Sequence, residues 1–92
     1  MRINIYIKNN DCTKVCTKKN KLEIIQQIAQ EIKKDASWID DTLYSRYHHS
    51  ELYEKMRTEK GREEVEYFLQ CAARDYAEES FEEDYFATTL DV

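Results

Sequence analysis

The sequence predicts an α+β fold: an N-terminal β-hairpin packed on three to four short helices, in one compact domain over residues 1–92. Three observations carry this reading. Residues 2–8 alternate apolar and polar side chains, which is the period of a half-buried strand. From about residue 21 the apolar residues recur at spacings of three and four, with capping residues ahead of each run, which is the pattern of amphipathic helices. Residues 86–92 alternate again and form a candidate third strand, which the hairpin needs because two strands alone are marginal in water. With one Gly and no Pro, the chain lacks the punctuation of a turn-rich β-sandwich.

In the first strand Ile3, Ile5 and Ile7 share one face, and Arg2, Asn4, Tyr6 and Lys8 share the other. Asn9, Asn10 and Asp11 tolerate turn conformations. The β-forming residues over 12–18 then complete a hairpin. Asn20, with Glu23 three positions on, predicts the cap of a first helix over 21–35. Its stripe of Leu22, Ile25, Ile28, Ala29 and Ile32 is the expected cover for the three isoleucines. Ser37 and Asp40 predict a second helix over 38–47, with Ile39, Leu43 and Tyr47 inward. Ser50 predicts a third over 51–59, with Leu52 and Met56 inward. Gly61 is expected at the left-handed position that ends that helix. The fourth helix starts near Arg62 and carries a core stripe of Val65, Phe68, Leu69, Ala72 and Tyr76. Glu79 and Glu83 project onto the same arc, and Ser80-Phe81-Glu82-Glu83 has the form of a capping box. A break near 79–80 and a short last helix are therefore expected.

The net charge of −5 hides a gradient. Residues 1–34 carry +5, residues 35–74 carry −3, and residues 75–92 carry seven acids and no base. A single-sign patch of this kind produces a field that steers a partner of opposite sign. The alternative is that the basic head, with Lys14, Lys18, Lys19 and Lys21, folds against the acidic end and neutralises it.

No run approaches the ~18–20 consecutive apolar residues of a membrane span. The alternating N-terminus does not resemble a signal peptide. Three Cys is an odd number, which favours reduced thiols and a cytoplasmic location over a bridged secreted domain. Cys12 and Cys16 are spaced C-x3-C rather than C-x2-C, and Cys71 falls at the border of the fourth helix's stripe. His48 and His49 lie ~100° apart on a helix, so they cannot hold one ion from one face. Tyr44-Ser45-Arg46-Tyr47 places aromatics beside a base, but Asp40, Asp41 and Glu51 surround it. No Gly-rich phosphate loop, G-x-S-x-G or H-E-x-x-H is present. These features predict a protein that is not an enzyme and uses no cofactor or metal.

The residues singled out for partner binding are Asp75, Glu78, Glu79, Glu82, Glu83 and Asp84. Regularly spaced carboxylates can stand in for phosphates in a channel that selects charge and spacing. The expected function is a protein-binding module that occupies the basic surface of a nucleic-acid-handling protein. Small acidic α+β proteins of phages and mobile elements, anti-CRISPR inhibitors among them, share this general profile. The likeness is one of character, since no family motif is present. The alternative is a homo-oligomeric accessory or regulatory protein, in which a basic head docks on the acidic end of a second copy and paired hairpins complete the sheet. A DNA-binding regulator using the basic head is a third reading, and four Lys without Arg on an acidic chain make direct nucleic-acid binding a weak one.

Overall fold

The alternating segments become three strands and the periodic segments four helices in a computed structural model that describes residues 1–91. In chain order these are β1 (Arg2–Lys8), β2 (Asp11–Thr17), α1 (Lys18–Ile32), α2 (Ala36–Arg46), α3 (His49–Met56), α4 (Glu59–Asp84) and β3 (Tyr85–Asp91). The sheet is antiparallel with order β2-β1-β3, so the C-terminal segment supplies the third strand and β1 is central. Val92, the last residue of the expected strand, lies outside the described residues. Because the sheet is completed within one chain, the gap that favoured pairing of hairpins between copies is filled.

The register decides which face of the sheet meets the helices. Tyr6 pairs with Cys16 on one side and Ala87 on the other, so these three share a face. Tyr6 and Tyr85 pack against a buried cluster of Cys16, Ile25, Ala77 and Phe81. The helices therefore cover the Tyr6 face. The expectation that Ile3, Ile5 and Ile7 turn toward the first helix is reversed. They line the outer face with their partners Val15, Thr17, Phe86, Thr88 and Leu90. Alternation identified two faces, but both carry apolar bulk, and only the packing of α1 and α4 selects between them.

The helix starts differ from those expected by a few residues, because other side chains take the caps. Thr17 rather than Asn20 caps α1, accepting from the Asn20 amide at 3.4 Å. Asp35 rather than Ser37 caps α2, accepting from the Ser37 and Trp38 amides at 3.0 and 3.3 Å. His48 occupies the cap of α3 without a side-chain bond, where Ser50 was expected. Along α1, Ile25 is buried and Ile24 joins Ile28, Ala29 and Ile32 against the buried cluster, whereas Leu22 is exposed. Met56 also stays exposed. Tyr47 is buried as expected, with its ring edge-to-face on Phe68 at 5.7 Å.

Two corrections concern α4. Gly61 is not a left-handed terminator: no residue among those described has positive φ, and Gly61 sits in the first turn, where Thr58 caps the helix. It is glycine because α3 crosses there; a Cβ would lie 1.9 Å from the Lys55 carbonyl oxygen. And α4 does not break at 79–80 but runs 26 residues without interruption. The apolar stripe fails because the partner changes. Val65, Phe68, Leu69 and Ala72 face one way, in the half of α4 nearest α2 and α3, whereas Tyr76, expected in the same stripe, is exposed. At 100° per residue, Ala73, Ala77 and Phe81 face about 130° further round, toward α1 and the sheet. Small residues at 73 and 77 allow α1 to approach closely.

The result is elongated, with extents of 56 × 24 × 17 Å. Its radius of gyration is 17.4 Å, where a compact chain of this length gives roughly 12 Å.

Two outcomes test this arrangement. Gly61→Ala gains helix propensity but collides with Lys55, so it lowers stability by about 1–3 kcal/mol and Tm by at least about 5 °C in thermal unfolding followed by circular dichroism; an unchanged or raised Tm contradicts the crossing. Burial pushes the Cys16 thiol pKa up, while Cys12 and Cys71 are exposed. A thiol reagent near neutral pH thus labels Cys12 and Cys71 in the native protein and Cys16 only in denaturant, which mass spectrometry resolves by peptide.

Candidate functional site: an acidic helix face

The continuity of α4 decides where its carboxylates point. With Ala73, Ala77 and Phe81 turned inward, Asp75, Glu78, Glu79, Glu82 and Glu83 fall on an arc of about 140° centred opposite the buried stripe. All five are exposed. Asp84 is exposed as well, but it projects away from this arc at the last helical position. The structure thus gathers five of the six predicted residues on one face and sets the sixth at its end. From Asp75 to Glu83 the helix rises about 12 Å, so the face presents roughly one charge per 3 Å of axis. Duplex DNA carries one per ~1.7 Å over both strands.

Little within the chain neutralises this face. Arg74 donates to Glu78 at 3.4 Å. Among the described residues no other ion pair reaches Asp75, Glu79, Glu82, Glu83 or Asp84. The basic head does not fold onto the carboxylates. Lys14, Lys18 and Lys19 are exposed, and Lys21 places its ammonium 4.7 Å from the Tyr6 ring centroid and 5.5 Å from that of Phe81. Head and tail meet through Arg2 and Asp91, paired at 3.3 Å on adjacent strands, and through Lys21 over the aromatic rings, and neither contact engages the helix carboxylates.

The acids also sit where a helix tolerates them least. The last turn of α4 contains no base, so the partial negative charge of the helix end is reinforced rather than offset. Had a new helix begun at Ser80, Glu82, Glu83 and Asp84 would have lain in its favourable first turn; in the continuous helix they do not. Neutral donors supply what relief there is. The Asn9 side chain donates to the Glu83 carbonyl at 2.6 Å and the Asn9 backbone amide to the Asp84 carbonyl at 2.8 Å, so the hairpin turn caps the end of α4. The sequence showed Asn9 only as a turn former; its second role needed the fold to bring residues 9 and 84 together.

Elsewhere the chemistry is sparse. A groove of about 340 Å³ between α1 and α4 includes Ile25, Gln26, Gln30, Lys33, Gln70 and Arg74 in its lining, which has no carboxylate, imidazole or thiol. The His49 and Tyr44 rings lie against each other at a tilt of 34° with centroids 4.3 Å apart. Cys71, expected at a core boundary, is exposed and touches the Tyr67 hydroxyl, raising the pKa of that phenol. No three His, Cys, Asp or Glu side chains among the described residues converge to hold a metal ion. None of the described helices is long and apolar enough to cross a membrane. Comparison of the chain with family models, curated proteins and solved structures finds no match.

Changing Glu78, Glu79, Glu82 and Glu83 together to Gln relieves like-charge pairs at spacing four and the opposition to the helix dipole, at the expense of one exposed pair with Arg74. We expect a gain of about 1 kcal/mol and a Tm raised by about 4–8 °C. A lowered Tm would mean that these carboxylates hold the fold together.

Proposed function

We propose that this protein is a non-enzymatic binding module that seats the acidic face of α4 on a basic, nucleic-acid-binding surface of another protein. One observation carries the reading: five exposed carboxylates on one face of an unbroken helix, with a single ion pair among them and set against the helix's own dipole. An arrangement that opposes local stability and is left unneutralised by a nearby lysine-rich segment is suited to an external cation. Over the roughly 12 Å from Asp75 to Glu83 the charge density is about half that of duplex DNA, and it is fixed on a helix. A protein that fills such a surface excludes nucleic acid from it, so the module acts as an inhibitor by mimicry. Small acidic proteins of phages and mobile elements, anti-CRISPR inhibitors among them, share this general profile, and a module of this kind works in the cytoplasm of a bacterial host, where thiols stay reduced.

The exposed Lys14, Lys18 and Lys19 do not favour direct nucleic-acid binding, because an acidic protein with so small a basic patch gains little from counterion release.

The tagged protein, incubated with bacterial lysate at about 50 mM salt, should capture a basic nucleic-acid-handling protein that added duplex DNA displaces. The quadruple Gln variant, folded and more stable, should bind that protein at least about tenfold more weakly. Capture that is indifferent to duplex, or undiminished in the Gln variant, would overturn the reading.

A further inference from the structure

On the side of the sheet away from α4 lies a second surface of opposite character. Ile3, Ile5, Ile7, Val15, Thr17, Phe86, Thr88 and Leu90 are brought to one face by the register. The core cluster draws Tyr6, Cys16 and Tyr85 from the sheet and none of these eight. Val15 is 50% exposed, Leu90 46%, Phe86 45% and Ile3 37%. Ile5, at the centre of the central strand, is only 8% exposed because its neighbours on the same face close around it. Not one of the eight is charged, in a chain where 36% of residues are. The charged residues of β1 and β3, Arg2, Lys8 and Asp91, point to the other face, with Arg2 and Asp91 paired at 3.3 Å.

We infer that this outer face is the contact between two copies of the chain, which pack sheet on sheet about a two-fold axis near Ile5. Three features select a second copy as the occupant. A two-fold contact places the same patch on both sides; an uncharged apolar patch meets itself without repulsion, and an acidic or basic one does not. The charge of −5 per chain does not oppose the pairing, because the acidic helix lies on the far side of each sheet. With sheets ~10 Å apart and a helix layer outside each, the two α4 faces stand roughly 30 Å apart, beyond the ~10 Å screening length of 0.1 M salt. Finally, the monomer is short of core. Eight apolar residues are buried in the described chain, and the molecule is drawn out to 56 Å; closing two sheets into a six-stranded sandwich covers the apolar face that the helices leave open.

The size of the face sets the strength. Three strands of seven residues present about 330 Å² in projection. That matches the largest apolar patch of a typical monomer, ~300–600 Å², and falls below the ~800 Å² per partner of a standard interface. A contact of this size supports a reversible dimer, whose population rises with chain concentration. It does not depend on the acidic face having a partner.

Sedimentation velocity over about 1 to 200 µM tests it. The native chain should pass from 11.1 kDa to twice that mass with rising concentration. Val15→Lys with Leu90→Lys alters two already exposed positions, and it should weaken dimerisation at least about tenfold while leaving the circular dichroism spectrum intact. The Gln variant of α4 should dimerise like the native chain. Raising salt from about 0.1 to 0.5 M should leave the dimer in place, since its contact is apolar. A monomer at the highest concentration would overturn the inference, as it would if the outer face served a different protein. So would a dimer that survives both Lys substitutions, or one that salt dissolves, which is the behaviour of a basic head docked on an acidic end.

Discussion

Phe81 is the side chain on which the rest of the structure depends. It is 1% exposed, and among the described residues no other large side chain is so fully buried. Its ring stacks on Tyr85 with centroids 4.3 Å apart and meets the Tyr6 ring edge-on at 5.6 Å. Lys21 lies over it, and Ile25 and Cys16 complete its pocket. One ring thus joins α4 to β1, β2, β3 and the start of α1. Burying an aromatic of this size contributes several kcal/mol, as the ~3–5 kcal/mol cost of truncating such a residue indicates. That exceeds the cost of the unfavourable charges on the same helix, and it keeps α4 continuous past the positions where its local sequence favours a new start.

The two surfaces of the molecule follow from that anchor. Once Phe81 and Ala77 face inward, a period of 3.6 residues leaves Asp75, Glu78, Glu79, Glu82 and Glu83 no direction but outward. Once α1 and α4 occupy the Tyr6 face of the sheet, the isoleucine face is left without cover. Acidic helix and apolar sheet therefore end on opposite sides of a thin molecule, 17 Å across its narrowest axis. A surface of one sign for a partner and a neutral one for a second copy are compatible because the sheet and its inner layer separate them.

Much of the fold was legible in the residues. Alternation over 2–8 and 86–92 marked β1 and β3, and the four helical periods marked four helices. Two boundaries moved because Thr17 and Asp35 outcompeted the caps that local pattern suggested, a contest decided by where the preceding strand or turn delivers the chain, and α4 starts earlier because Thr58 caps it ahead of Gly61. The candidate site was legible as composition: seven acids and no base in the last eighteen residues. Its geometry was not. Ser80-Phe81-Glu82-Glu83 has the form of a helix start, and nothing local records that Phe81 is needed in a core built by Tyr6, Ile25 and Tyr85. Likewise Gly61 looks like a terminator until α3 is seen to crowd it.

The residues alone established the class of fold, the places of the alternating and helical segments, and the segregation of charge along the chain, because these depend on periodicity and on nearest neighbours. Only the tertiary structure decided which face of β1 is inward, whether the last helix is one or two, and whether the basic head neutralises the acidic end. Those choices turn on contacts between residues far apart in the chain, such as Asn9 with Asp84 and Lys21 with Phe81, where burial of a few large side chains outweighs the smaller local preferences for caps and charge placement.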